Sequence, residues 1–244
     1  IIMNNLIRID TDESNFHFSG ESIDNLGASE YTLVNIVVDM SGSVSRFSNE
    51  LTECIKTIVS SCKYSQRAEN LMIRLNTFNY NVYEEHGFTL LNSIDIDAYK
   101  NVINPTGATA LYDATANALE SVKKYGAELY DQDFDVNGIL FIVTDGDDNH
   151  SSANQLDIKK LIEKVGAEEK LESLRTILIG VNTSTDNLKY KLEDYKKSST
   201  LDQYVDIENA DKNSLAKLAN FISKSISAQS LALGTGGPSQ ALVF

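Results

Sequence analysis

Residues 33–43 have the sequence Leu-Val-Asn-Ile-Val-Val-Asp-Met-Ser-Gly-Ser, in which an apolar run ends in one acid and two serines. The run at residues 33–38 is typical of a strand that is buried on both faces of a sheet. Such a strand would deliver the side-chain oxygens of Asp39, Ser41 and Ser43 to one point beyond its carboxyl end. Oxygen ligands at that spacing suit a small hard cation such as Mg²⁺, and Gly42 permits a sharp turn between the two serines.

Two further segments have related chemistry. Residues 138–145 read Gly-Ile-Leu-Phe-Ile-Val-Thr-Asp, a second buried-strand pattern that also ends in an acid, and a glycine follows it. Between the two strands, residues 105–111 read Pro-Thr-Gly-Ala-Thr-Ala-Leu, which predicts a flexible loop leading into a helix. The three segments together form a more specific pattern than any one of them alone.

These segments resemble the metal-ion-dependent adhesion site of von Willebrand factor A (VWA) domains, in the order found in that family and across residues 31–227. The resemblance implies that Ser41 and Ser43 bind a metal ion directly, and that Asp39 and Asp145 bind it directly or through water. Thr109 would bind directly in the ligand-occupied state and through water otherwise. Mg²⁺ is the expected ion, with Mn²⁺ and Ca²⁺ as alternatives.

Simpler interpretations of the same residues stay open. Asp39 and Ser41 could cap a helix that begins near Ser45. Thr106 competes with Thr109 for the third motif position, although Thr109 fits the pattern Gly-x-Thr-x-Leu better.

The residues around the motifs are assigned to the rim of the site. We expect Asp147 and Asp148 to be solvated, with Asp148 as a residue that could favour Ca²⁺. Asp113 and His150 are expected at the surface or edge. Ala108 stands where a second glycine is frequent in the family, and a positive φ angle there would cost about 1 kcal/mol.

Alternating strand and helix patterns predict a Rossmann-like, doubly wound α/β fold. We expect a mostly parallel six-stranded sheet with one antiparallel edge strand and helices on both faces. The resemblance implies the strand order 3-2-1-4-5-6, which would place the first and fourth strands side by side at the point where ligands bind. The predicted strands are 33–38, 71–78, 82–90, 138–144, 174–180 and 203–207.

We predict three parts along the chain. Residues 1–30 form an N-terminal extension that could be a hairpin, residues 31–228 form the VWA domain, and residues 229–244 form a C-terminal tail. The pattern leaves the oligomeric state open.

Composition narrows the classes of partner and compartment. The chain has 21 basic and 35 acidic residues, a net charge of −14, which disfavours nucleic acid and anionic membranes. Cys54 and Cys62 fall in one predicted helix about 12 Å apart along its axis, too far for a disulfide. Unpaired cysteines fit a reducing compartment, and neither a signal peptide nor a membrane span is visible. The sequence therefore predicts a cytoplasmic protein.

The chain also resembles small intracellular bacterial or phage VWA proteins of the tellurite-resistance and stress-response type. That resemblance implies a metal-dependent protein-binding module that captures an Asp or Glu carboxylate of a protein partner, as a scaffold or assembly factor. A kinase, a phosphatase or an AAA+ ATPase is the implied class of partner. The alternatives are a metal-dependent hydrolase and a VWA subunit of an ATPase-driven complex. We expect no enzyme activity, because the sequence shows neither a second metal cluster nor a positioned general base.

Overall fold

The structure is a computed structural model that describes residues 6–11, 16–184, 186–239 and 242–244. Among these residues, eight strands are β1 (Leu6–Asp10), β2 (His17–Glu21), β3 (Glu30–Asp39), β4 (Leu71–Phe78), β5 (Val82–Leu90), β6 (Asp135–Thr144), β7 (Ser173–Val181) and β8 (Gln203–Ile207). Five α-helices in the same residues are α1 (Ser48–Lys63), α2 (Leu111–Tyr130), α3 (Gln155–Glu168), α4 (Asp186–Ser198) and α5 (Lys212–Thr235). From β3 onward the strands and helices alternate, except that β5 follows β4 directly, as is typical of an α/β fold.

All eight strands belong to one mixed sheet with the order β1-β2-β5-β4-β3-β6-β7-β8. Strands β4, β3, β6, β7 and β8 lie side by side and are parallel. Strand β5 is antiparallel to β4, and β1 is antiparallel to β2. The predicted six-stranded, mostly parallel sheet was therefore wrong in strand number and in its edge. The order 3-2-1-4-5-6 holds for the six strands from β5 to β8.

The N-terminal hairpin joins the sheet mainly through side chains. Its strand β2 shares a single register pair with β5. Glu84 on β5 accepts hydrogen bonds from the backbone N–H of Ser19 at 2.9 Å and from the buried Arg74 Nε at 2.7 Å. The Arg74 guanidinium also lies 5.6 Å from the ring centre of Phe18. Short strands anchored in this way carry little periodicity, which is why the sequence pattern did not add them to the sheet.

The central strand β3 is buried over nearly all its length and separates two apolar layers. Helices α1 and α5 pack on the face that carries Val34, Ile36 and Val38. Helices α2, α3 and α4 pack on the face that carries Val37. This coverage of both faces explains why the sequence of β3 is almost continuously apolar.

Local signals set the ends of several helices. Asn154 caps α3 in a reciprocal capping box with Asp157, and Asp211 caps α5 through the N–H groups of Asn213 and Ser214. The predicted boundary between residues 30 and 31 lies at the start of β3, and that between residues 228 and 229 lies inside α5.

Two further observations concern the cysteines and the apolar character of the helices. Cys54 and Cys62 are buried free thiols on α1. In the part of the chain that the structure describes, no helix has both the length and the apolar character needed to cross a membrane.

Candidate metal site

The site begins where two parallel strands end side by side. Val38 on β3 pairs with Val143 on β6, so the next residues of both strands emerge at the same edge of the sheet. The Asp39 carboxylate accepts a 2.6 Å hydrogen bond from the Thr144 hydroxyl and a 2.7 Å bond from the backbone N–H of Ser41. These two bonds fix the Asp39 carboxylate at the crevice between the strands.

The two serines connect the acids of both strands. The Ser41 and Ser43 hydroxyl oxygens are 3.0 Å apart, and Ser43 Oγ donates to Asp145 Oδ1 at 2.7 Å. The turn between the serines leads into a short 3₁₀ helix, Gly42–Arg46. Four of the five predicted ligands thus form one connected set, Asp39, Ser41, Ser43 and Asp145.

The fifth predicted ligand, Thr109, lies in the loop before α2 and is buried. A Cβ atom built on Gly146 would be 3.4 Å from the Thr109 hydroxyl oxygen, so that hydroxyl faces the segment that follows Asp145. The backbone N–H of Thr106 instead donates to the Met40 carbonyl at 2.9 Å. Of Thr106 and Thr109, Thr109 is the residue whose hydroxyl lies beside the segment after β6.

The loop that carries Thr109 also contacts the serine turn. The backbone N–H of Gly42 donates to the Gly107 carbonyl at 3.2 Å. Gly107 has a φ angle of +78°, which glycine adopts without strain. Ala108 is not among the described residues with positive φ, so the alanine at this position of the motif introduces no backbone strain.

The electrostatics of the site favour a bound cation. Asp39 and Asp145 are 1% and 8% exposed, and none of the described Lys, Arg or His side chains forms an ion pair with either. Burial raises the pKa of Asp39 to about 6, and the nearby Asp145 charge adds to this, while the hydrogen bonds from Thr144 and Ser41 oppose it. Burial also raises the pKa of Asp145. Two buried carboxylates without a counterion are costly, and a divalent cation between them would remove that cost.

The candidate metal ligands are all oxygen donors. No group of three or more His, Cys, Asp or Glu side chains suited to a metal ion occurs among the described residues. The candidate set instead combines two carboxylates with three hydroxyls, which are hard oxygen ligands. These residues fit a divalent cation such as Mg²⁺ by the chemistry of their oxygens and by their uncompensated charge.

The acidic segment after β6 differs from the expected solvated rim. Asp147 forms a 2.8 Å ion pair with Lys191 on α4. Asp148 Oδ1 accepts hydrogen bonds from the Ser151 hydroxyl and from the backbone N–H of Tyr112, the latter at 3.3 Å. Asp148 is thus partly buried at the rim, and its carboxylate holds the start of α2.

The remaining rim residues divide into two kinds. His150 is exposed, and its ring meets the half-exposed ring of Tyr80 edge-on with centroids 6.2 Å apart. Asp113 on α2 accepts hydrogen bonds from the backbone N–H groups of Ser152 and Ala153. Tyr80 and His150 thus lie at the surface, whereas Asp113 holds the loop after β6 against α2.

Two residues that orient the predicted ligands were not predicted from the sequence. Thr144 holds the Asp39 carboxylate, and its place in the Thr-Asp-Gly motif was the available signal. Asn149 accepts a 2.9 Å hydrogen bond from the Thr109 backbone N–H through its side chain and donates its own N–H to the Thr109 carbonyl at 3.0 Å. An asparagine in a loop gives no local signal for a partner 40 residues away.

Solved structures with a similar fold support this architecture. The PilB minor pilin from Streptococcus sanguinis aligns with a TM-score of 0.61 and 15% identity over 94% of this chain and 68% of that chain. The pilus adhesin SpaC from Lactobacillus rhamnosus GG aligns with a TM-score of 0.59 and 13% identity over 93% of this chain and 35% of that chain. Proximal thread matrix protein 1 from the mussel byssus, with a zinc-occupied MIDAS motif, aligns with a TM-score of 0.56 and 18% identity over 83% of this chain and 47% of that chain. The chain has a VWA-like fold, and it spans less than half of the two last-named proteins.

No protein-family model matches the chain, and no curated protein matches it either. The likeness is therefore one of fold, and the chemistry of the site rests on the residues of this chain.

Proposed function

We propose that this protein is a metal-dependent protein-binding module whose site lies beyond the carboxyl ends of β3 and β6. Asp39, Ser41, Ser43, Thr109 and Asp145 would hold the cation, with Mg²⁺ as the expected ion and Mn²⁺ or Ca²⁺ as alternatives. The single observation that carries the proposal is the pair of buried carboxylates, Asp39 and Asp145, that no described cationic side chain compensates.

The hydroxyl ligands explain why such a site would capture an acid. A bound divalent cation that is held by few carboxylates keeps positive character and an open position, which a carboxylate oxygen can fill. Ser41 and Ser43 are neutral, and the Ser43 hydroxyl donates a hydrogen bond to Asp145, which leaves its oxygen lone pairs for a cation. The protein therefore offers at most two carboxylates, and fewer bind directly where Asp39 or Asp145 contacts the ion through water. An Asp or Glu side chain of a protein partner would then complete the coordination.

The proposal includes no catalytic step. Both Asp39 oxygens and Asp145 Oδ1 accept hydrogen bonds, and we assign neither acid the role of a general base. A role as a scaffold or assembly factor beside a kinase, a phosphatase or an AAA+ ATPase stays a prediction from the resemblance. The same is true of cytoplasmic location and of the tellurite-resistance and stress-response type, to which the similar solved structures add no support.

Calorimetric titration of Mg²⁺, Mn²⁺, Ca²⁺ and Zn²⁺ into EDTA-treated protein tests the metal site. The wild type should bind at one site, and the Asp39→Ala/Ser41→Ala variant should lose that binding while circular dichroism shows an unchanged fold. Ser45→Ala is the matched control, because Ser45 is exposed in the same 3₁₀ helix as Ser43. Equal affinity in the wild type and the double variant would refute the metal site.

A second experiment tests capture of a carboxylate. Mn²⁺-loaded protein should broaden the NMR signals of a short peptide that contains one glutamate, because the paramagnetic ion would lie next to that side chain. The same peptide with glutamine should be unaffected. Equal broadening of both peptides would show that the protein does not select a carboxylate at the metal.

A further inference from the structure

Asn149 makes two hydrogen bonds to a single residue of another segment. Its side-chain Oδ1 accepts the backbone N–H of Thr109 at 2.9 Å, and its own backbone N–H donates to the Thr109 carbonyl at 3.0 Å. Both backbone polar groups of Thr109 are therefore used by one partner. Asn149 itself is exposed, so this contact is not a consequence of burial in the core.

The neighbours of Asn149 continue the same connection toward α2. The Asp148 carboxylate accepts the backbone N–H of Tyr112 at 3.3 Å, and the Ser151 hydroxyl accepts that of Asp113 at 3.0 Å. These N–H groups belong to the first turn of α2, where a helix has no acceptors of its own. Ala110, the residue preceding α2, makes no side-chain cap. The segment after β6 supplies the acceptors for these N–H groups instead.

The segment that carries Thr109 is thus fixed to the segment that carries Asp145 by hydrogen bonds rather than by chain connection. The side chain of threonine is branched at Cβ and has few allowed rotamers once the backbone is fixed. Holding the N–H and the carbonyl of Thr109 therefore also restricts the direction of its hydroxyl, which faces the residue after Asp145.

We propose that Asn149 is a positioning residue that sets the affinity of the metal site by orienting the Thr109 hydroxyl. This inference rests on the proposed function, because it assigns Asn149 a role at the same site. Asn149 does not contact the cation in this role. It holds the backbone of Thr109, and Thr109 supplies the oxygen.

Three variants separate this role from a merely structural one. Asn149→Ala removes the side-chain acceptor without a change in charge, and it should weaken Mg²⁺ and Mn²⁺ binding roughly 10- to 100-fold, as loss of an outer contact to a ligand does. Asn149→Asp keeps an acceptor of the same length and should bind with an affinity equal to or higher than that of the wild type. In a Thr109→Ala background, Asn149→Ala should change the affinity by less than about 2-fold, because the group that it orients is already absent.

Amide hydrogen exchange in metal-free protein provides a second measurement. The N–H of Thr109 should exchange faster in Asn149→Ala than in the wild type and should be protected again in Asn149→Asp. Thermal unfolding of all variants shows whether the fold is intact before the titrations are compared.

The outcomes distinguish the two proposals. Absence of metal binding in the wild type would refute the proposed function, and with it the role of Asn149 at the metal. Normal metal binding in the wild type and in Asn149→Ala would leave the proposed function standing and refute the role of Asn149. An equal loss of affinity with and without the Thr109 hydroxyl would also refute it, since the effect would then not pass through Thr109.

Discussion

Replacing Asp39 by asparagine should stabilise the metal-free protein near neutral pH. The carboxyl group is almost fully buried, and burial raises its pKa from 3.8 to about 6. Because the pKa is higher in the folded than in the unfolded state, the folded protein binds this proton more tightly. The resulting stability is present below the unfolded pKa and is lost as the pH rises through the folded pKa. Asparagine has a similar shape, keeps an acceptor for the Ser41 N–H and carries no charge.

The magnitude follows from the two pKa values. The difference corresponds to about 3 kcal/mol of lost stability in the wild type once the pH is well above 6, since each pKa unit is worth about 1.4 kcal/mol. At about pH 5 only roughly half of that loss has developed. The gain in unfolding free energy of Asp39→Asn over the wild type should therefore grow from about 1.5 to about 3 kcal/mol between about pH 5 and pH 7.5.

Urea unfolding followed by circular dichroism in EDTA measures this difference at each pH. Asp135→Asn is the matched control, because Asp135 is exposed at the opposite end of β6, and its substitution should have little effect. With Mg²⁺ at about 1,000 times its dissociation constant the order should reverse, since binding then stabilises the wild type by about 4.1 kcal/mol, which exceeds the deficit of about 3 kcal/mol. A gain that does not change with pH in EDTA would refute the argument that a buried, uncompensated Asp39 carboxylate destabilises the metal-free protein.

Three further predictions concern the scaffold around the site. Glu84→Ala should lower the free energy of unfolding by about 3–5 kcal/mol in urea titrations, because it leaves the buried Arg74 guanidinium without its carboxylate; near wild-type stability would contradict this. Gly107→Ala should destabilise the protein by about 1–3 kcal/mol and weaken Mg²⁺ binding, since its φ of +78° is strained for alanine; unchanged calorimetric and thermal profiles would show otherwise. Cys54 and Cys62 should resist Ellman's reagent near pH 8 until the protein unfolds, because burial raises both thiol pKa values to about 12, and rapid labelling of native protein would disprove it.

Several strands were predictable from the sequence. The predicted strands 71–78, 82–90 and 203–207 match β4, β5 and β8 in both bounds. The strand β4 is buried at every position, and burial leaves a direct trace in side-chain polarity, whereas β5 and β8 are buried only in part. The β1–β2 hairpin left a weaker trace, because its strands are short and dock through the bond from Ser19 to Glu84 and through the isolated buried side chains of Ile9 and Phe18 rather than through a long apolar run.

The predicted ligands and the residues that orient them differ in how visible they are. Asp39, Ser41 and Ser43 occur within five residues after an apolar strand, so their spacing indicates a shared target. Thr144 reaches Asp39 across 105 residues, and Asn149 reaches Thr109 across 40. Such contacts depend on which strands are neighbours, and a single sequence does not specify that from residue types alone.

The sequence by itself determined the alternation of strands and helices and the order of the oxygen-bearing motifs, because periodicity and short motifs are properties of neighbouring residues. Tertiary structure alone decided that the sheet has eight strands, that Asp39 and Asp145 lie in one buried crevice without a described counterion, and that Asn149 holds Thr109. The physical reason is that the solvation of a charge and the partner of a hydrogen bond depend on distance in space. Asp39 and Asp145 are far apart in the chain and become neighbours only when the parallel strands β3 and β6 pair.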